Sequence, residues 1–476
     1  MLTNCRTYLR WVAVTLVLCV PVERAVLAQS GGAESKVLTL EEAVDFALKN
    51  YPAVRASLER VNAAQAGIGL ARTNYLPRAD MVWQTNRATD NNITGLLLPQ
   101  SIIAPISGPV PIATSNQSAW GSAAGLLFSW EPFDFGYWGA KVDAARATRD
   151  RATAEASLTR LDVAVATVNT YLTVLAAMRT VHAAEADVQR RDTFDKAVRV
   201  LVDNQLRAGA DASRADAELA RARVNLARAQ QQEKISRAAL ADILGLPDTS
   251  VAVDEGSLLE PPPDGSPQTT PVSNNPIAEV QHARVEEAQA QVHILDRSYY
   301  PKFYLQSSVY GRGSGWDPAG NFEGGTVGLG PDRSNWAVGL TVTFPVFDIL
   351  AIRSRKAIES ANERAEAARY DQALQDLTGQ LRQAQASLEG ARHVAENTPV
   401  ELDAARTTET QERSRYQAGL ATLVDVADAQ SLLVQAETDD ALARLAVWQN
   451  LAAVAASQGD LQPFLQFLHD KTQGGP

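Results

Sequence analysis

The residues best placed to do chemistry lie in RYQAGLATLVDVADAQ, Arg415 to Gln430. Asp425 and Asp428 stand three apart, six and nine residues after Gly419. Positions i and i+3 share one face of a helix, so the two carboxylates would make one negative patch. By themselves they read either as a cation-attracting site or as an ordinary solvated helix start, where carboxylates are mildly stabilising. Tyr416 stands three residues before the glycine, and a weaker echo, LRAGADASRADAELA, begins at Leu206. The echo carries Gly209 and Ala210, and its Asp216 comes seven residues after the glycine. Nothing else suggests catalysis. His182, His282, His293, His393 and His469 make no HxH or HxxxH spacing, and there is no GxSxG or P-loop motif. The chain is expected to be no enzyme and to hold no metal or cofactor.

The elements that must position these residues come in two copies. Asn50-Tyr51-Pro52 matches Asn274-Asn275-Pro276, and each proline is followed 25 residues later by another, Pro77 in NYLP and Pro301 in SYYP. Between them Val61 and Val285, Ala64 and Ala288, and Gln65 and Gln289 fall in register. WEPFDFG (Trp130 to Gly136) echoes FPVFDI (Phe344 to Ile349), and an AG pair follows in each half. This is an internal duplication. Each half is expected to run helix (38–75; 276–299), two strands, very long helix (138–205; 350–416), breaker, return helix (211–245; 421–457). Thr39 with Glu42 three residues on predicts a capping box at the first helix. The domain plan is a first repeat at 38–246, a Pro-rich extended linker at 247–275 around PPPDGSP, a second repeat at 276–460, and a tail at 461–476.

Leu158, Leu161, Val165, Val168, Leu172 and Leu175 step 3, 4, 3, 4, 3, as do Leu374, Leu377, Leu381, Ala384, Leu388 and onward. That is a coiled-coil seam. A helix of such length suits a rod or tube rather than a single-core globule. The strand segments alternate with period two: Trp336, Val338, Leu340, Val342 and Phe344 against Ala337, Gly339, Thr341 and Thr343. Trp120 to Trp130 and Phe303 to Val309 repeat the pattern more weakly. Aromatic residues at the segment ends fit a membrane girdle.

The N-terminus reads as a signal peptide over 1–28: Arg6 and Arg10, an apolar run from Trp11 to Val20, and VLA before Gln29. A lipoprotein signal at Cys19 is the rival reading. Both cysteines, Cys5 and Cys19, lie in that segment, which excludes a disulfide scaffold. Without Arg6, Arg10, Arg24 and Glu23 the charge is −13, unsuited to nucleic acid. No later stretch resembles a transmembrane helix, which leaves a β-barrel as the way to span a bilayer. Four strands cannot close a barrel, and unpaired edges cannot face lipid. Several copies must therefore pool their strands.

These residues carry a resemblance. LTLEEAVDFALKNYP, the YLP and YYP junctions, the FD strand ends and RYQAGLATLVDVADAQ resemble the TolC-type outer-membrane efflux proteins over roughly 38–460. The resemblance implies a mainly α fold with a β part: a homotrimer with a shared twelve-stranded barrel in the outer membrane and a helical tube in the periplasm. It implies an exit duct for a tripartite pump or type I secretion system, with a periplasmic adaptor and an inner-membrane pump of RND, ABC or MFS type. Gly209, Ala210, Gly419 and Leu420 fall on hairpin tips that meet the adaptor, the glycines taking positive φ. Asp425, Asp428 and Tyr416 fall on the periplasmic entrance, where six clustered carboxylates would favour cations and raise one another's pKa. The family's arginine partner for the tyrosine is Ala421 here, so the closed state needs another contact. The competing reading is a non-conducting trimeric coiled coil anchored in the outer membrane as a structural or adhesive protein. The loops at 96–111 and 311–325 are expected to face outside.

Overall fold

The computed structural model describes residues 37–89, 101–103, 116–246, 251–259, 271–317 and 321–473. The signal segment, most of the 96–111 loop and the PPPDGSP core of the linker lie outside the described residues.

β1 (Val37–Leu38) leads into α1 (Leu40–Asn50), α2 (Pro52–Thr73), β2 (Arg78–Thr89), β3 (Ser118–Phe133), α3 (Tyr137–Asp203) and α4 (Gly209–Ile243). β4 (Ala252–Val253) begins the link to the second half. There α5 (Pro276–Arg297), β5 (Lys302–Ser314), β6 (Arg333–Thr343), α6 (Asp348–Gln417) and α7 (Leu423–Gln458) repeat the plan, and α8 (Gln462–Gln473) closes it. The capping box is present: Thr39 Oγ1 accepts from Glu42 N–H, and Glu42 Oε2 accepts from Thr39 N–H, both at 3.2 Å. The helix expected over 38–75 is two helices. Pro52 at the first turn of α2 forces Tyr51 into an extended conformation, which ends α1.

α3 has 67 residues and α6 has 70, so at about 1.5 Å per residue each is roughly 100 Å long. They are the two continuous posts of the molecule. Towards the sheet they pack with α2 and α5; away from it they pack with α4 and α7. The seam residues of α3 do bury: Val168, Leu172 and Leu175 are fully enclosed, with Leu161 and Val165 packed beside them. α3 also contains a window apolar and long enough for a membrane span, which the sequence reading did not anticipate; half of it is buried among other helices.

The linker's start and the tail have structure of their own. β4 pairs in parallel with β1 (Val37 with Ala252, Leu38 with Val253), so the linker's start is hydrogen-bonded rather than merely extended. The tail forms α8, whose Phe464 and Phe467 rings lie 6.4 and 6.3 Å from that of Trp448. Tyr171 of α3 ties this belt to the post: its hydroxyl donates within 2.9 Å of the Leu38 carbonyl and 2.7 Å of the Asp254 carbonyl.

The four long strands make one antiparallel sheet in the order β2-β3-β5-β6. Its register aligns Met81, Leu126, Val309 and Trp336 in one row. All four are exposed, at 76, 41, 59 and 76 %. The neighbouring row on the opposite face is Val82, Gly125, Tyr310 and Asn335. Ile103 packs on that second face against Ala123, Val82 and Tyr310. One face is thus an exposed apolar surface, as in a lipid-facing barrel wall, and the other is mixed, with Gly125 and Asn335 beside Val82 and Tyr310. β2 and β6 are open edges, and β6 is exposed along its whole length. The turn from β3 into α3 is held by Asp134, whose carboxylate accepts from Trp138 N–H at 2.6 Å and Gly136 N–H at 3.2 Å.

Candidate functional site

Two helical hairpins end at the turns farthest from the sheet. In the second hairpin Gly419 adopts φ +77°, with Leu420 N–H donating to Arg415 O at 2.8 Å and Gly419 N–H to Tyr416 O at 3.0 Å. This is the hydrogen-bond pattern that closes a helix through a left-handed residue. The first hairpin repeats it with Leu206 N–H to Leu201 O at 2.8 Å and Gln205 N–H to Val202 O at 2.9 Å. Its left-handed residue is Gln205, φ +58°, and not Gly209. Gly209 is the first residue of α4, followed by Ala210, and a side chain there would meet open space. The positive φ expected at Gly209 is therefore corrected to Gln205. The echo of sequence is four residues out of step with the echo of structure. Leu206 and Leu420 come immediately after the two left-handed residues and are 69 and 71 % exposed.

Aligned on those residues, Arg207 and Ala421 occupy equivalent places. The arginine missing from the second hairpin is supplied by the first. The Arg207 guanidinium carbon lies 4.5 Å from the Tyr416 ring centroid, and Nη2 donates to the Tyr416 carbonyl at 2.8 Å. Tyr416 is buried, packed against Phe194 with ring centroids 5.3 Å apart, in a small core with Val198, Ala215, Leu423 and Val426. Ala421 belongs to the same core, which leaves no room there for a long charged side chain. The Tyr416 hydroxyl makes no hydrogen bond of standard geometry. Burial raises its pKa, the neighbouring Asp211 carboxylate raises it further, and Arg207 opposes both. Arg207 and Asp211 were missed in the sequence because the glycine alignment placed them out of register.

Asp425 and Asp428 lie exposed on one side of α7. Asp425 closes a second capping box: its Oδ2 accepts from Thr422 N–H and Thr422 Oγ1–H, both at 2.8 Å. Those two hydrogen bonds hold its carboxyl below the usual carboxylate range. Within one protomer the cap thus stabilises the charged form, opposite in direction to the effect expected of six clustered carboxylates. Asp216, whose part the sequence left undefined, pairs with Arg199, which also holds Asp195 at 2.9 Å.

Farther along, charged groups tie the hairpins together. Arg190 grips Glu437 of α7 with both nitrogens, at 3.2 and 2.9 Å. Arg191 is buried and bonds Asp187 at 2.9 Å, Glu218 of α4 at 3.0 Å and Ser431 of α7 at 3.1 Å. Among the described residues no group of three His, Cys, Asp or Glu could hold a metal ion.

Comparison with known proteins agrees with this architecture. The model of the "Outer membrane efflux protein" family matches residues 43–246 and 272–460. Protein CyaE of Bordetella pertussis is 26 % identical over 431 residues, 89 % of this chain and 84 % of CyaE. The pyoverdine export outer membrane protein OpmQ of Pseudomonas aeruginosa is 25 % identical over 437 residues, 88 % of this chain and 83 % of OpmQ. The solved structure of the outer membrane protein VceC of Vibrio cholerae shares the fold with a TM-score of 0.70 at 19 % identity, covering 88 % of this chain and 96 % of VceC. With duplicated hairpins, a lipid-type sheet face and a family match to both halves, the chain belongs to the outer membrane efflux protein family.

Proposed function

We propose that this protein is the exit duct of a tripartite efflux pump or type I secretion system. Three copies close one twelve-stranded barrel in the outer membrane, and their helices form a tube through the periplasm. The observation that carries this reading is the four-stranded sheet. It exposes an apolar row on one face and leaves the outer edges of β2 and β6 unpaired. Unsatisfied edge groups cost several kcal/mol each in lipid, about the loss of a hydrogen bond with no water to replace it. Pairing β6 of one copy with β2 of the next removes both edges.

The hairpin tips are the docking ends. Leu206 and Leu420, with Gly209, Ala210 and Gly419 beside them, present an apolar point to the hairpin of a periplasmic adaptor. The adaptor in turn couples the duct to an inner-membrane pump of RND, ABC or MFS type. Asp425 and Asp428 line the entrance and draw cations to it. Arg207, stacked on Tyr416, is the brace that holds the second hairpin against the first and keeps the entrance closed. Substrate choice belongs mostly to the pump; the pyoverdine export of OpmQ supports small secreted molecules as candidates.

The test is a cross-linking scan. The chain's cysteines, Cys5 and Cys19, both lie in the signal segment. Cysteine at Gly339 of β6 combined with single cysteines along β2 should give covalent dimers and trimers at one register in isolated outer membranes. Monomers at every register would overturn the shared barrel.

A further inference from the structure

Where α7 ends and α5 begins, the two helices meet end to end. Gly459 turns left-handed at φ +88°, and Asn275 Nδ2 donates to the Ser457 carbonyl at 3.0 Å across the joint. The posts α3 and α6 pass on either side. At this joint α7 lines the gap mostly with short side chains, among them Ala452, Ala453 and Ala456. An open-sided cavity of about 620 Å³ is left between the posts, with Asp162, Asn169, Gln380 and Gln383 exposed along its rim. It is lined by α3, α5, α6 and α7 of one chain.

The lining is uneven in a way that has chemical meaning. Leu161, Val165, Leu377 and Leu461 provide an apolar body. Asn169, Gln380, Gln383 and Asn450 add carboxamides, which donate and accept. Asp162 is the sole ionisable group on the wall. It is an exposed side chain with no ion-pair or hydrogen-bond partner among the described residues, and partial desolvation raises its pKa. Helix caps and ion pairs occupy many carboxylates elsewhere in these helices; this one is left facing a cavity.

We propose that this cavity is a binding site for a monocationic amine with an apolar body of several rings, its ammonium paired with Asp162. The volume suits a drug-sized ligand, for which ~300–1,000 Å³ is usual. Apolar walls with one carboxylate and a few carboxamides favour an amine over a neutral molecule of the same shape. Each copy of the chain would carry one such site. Binding at the cavity does not require the duct to conduct; only access from passing cargo rests on the channel reading.

The test uses a matched pair of fluorescent probes, 1-pyrenemethylamine and 1-pyrenemethanol, against the purified full-length protein with a detergent blank subtracted. The amine should bind saturably, one per chain, and at least tenfold tighter than the alcohol. Asp162→Asn should remove that difference while leaving the alcohol unchanged. Ala453→Trp should fill the cavity and abolish both. Lowering the pH should erase the amine's advantage as Asp162 protonates. Amine and alcohol binding alike, or an advantage that survives Asp162→Asn, overturns the site. So does an absence of saturable binding. Single-channel conductance of Asp162→Asn separates this outcome from the channel reading: a variant that conducts normally leaves the duct standing whatever the probes show.

Discussion

Replacing Arg207 by alanine should loosen the periplasmic entrance. The guanidinium stacks on a tyrosine ring that is 1 % exposed, 4.5 Å from its centroid. A cation over an aromatic face is worth roughly 1–2 kcal/mol when partly desolvated. The charged hydrogen bond to the Tyr416 carbonyl adds about 1.5 kcal/mol. Allowing for the shared desolvation of one guanidinium, the brace contributes about 2–3 kcal/mol per protomer. Each 1.4 kcal/mol is about tenfold in an equilibrium, so Arg207→Ala should shift the closed-to-open balance of each tip by roughly 30- to 100-fold. The assay is open probability in a planar bilayer, backed by entry of a bulky antibiotic into cells carrying the variant. Tyr416→Ala should open the channel similarly. Tyr416→Phe should stay closed, because the ring and the carbonyl remain and the hydroxyl makes no standard hydrogen bond. Unchanged open probability in Arg207→Ala, or a Phe variant as leaky as the Ala variant, would refute the brace.

Three further outcomes follow from the same geometry. Gly419→Ala forces a side chain into left-handed backbone at a cost of about 1–2 kcal/mol and should impair export. Gly209→Ala, in a helical conformation with open space around it, should gain about 0.5–1 kcal/mol, read by thermal denaturation; equal effects at the two sites would contradict the register. Arg191→Met strands Asp187 and Glu218, and with side-chain exposures of 5 and 7 % for Arg191 and Asp187 it should cost about 3–5 kcal/mol. Arg190→Met, at a pair about one-fifth exposed, should cost nearer 1 kcal/mol, and equal melting shifts would dispute the difference. Asp425 has a depressed folded pKa, so its charge and the stability it lends are present above the ordinary carboxylate range and lost as pH falls through that lower value. Cation preference, read from reversal potentials, should therefore persist below about pH 4, and Thr422→Ala should move its loss upward. Loss above the ordinary range in the wild type would mean that repulsion between copies outweighs the cap.

Much of the architecture was legible because it depends on periodicity. The step of three and four along Leu158 to Leu175 fixed the long post, and the alternation from Trp336 to Thr343 fixed the lipid-type face. The duplication showed in the paired prolines, since Pro52 and Pro276 both stand at the first turn of a helix. The elements that left no local signal owe their structure to distant partners. The linker's start gains its strand only by pairing with Val37 and Leu38, and the tail becomes a helix because Trp448 offers a surface to bury against. The candidate site divides in the same way. Gly419, Tyr416 and the aspartates stood out through local spacing. Arg207 did not, because a stack between residues 209 positions apart leaves no local trace. Gln205 escaped because glycine is the residue expected at a left-handed turn, and the nearby Gly209 drew the alignment to itself.

The most direct measurement is single-channel conductance of the purified, unboiled protein in a planar bilayer, compared with Arg207→Ala. The account predicts discrete, cation-preferring openings, rare in the wild type and frequent in the variant. A correctly assembled trimer that conducts in neither form would contradict the duct and leave a non-conducting rod.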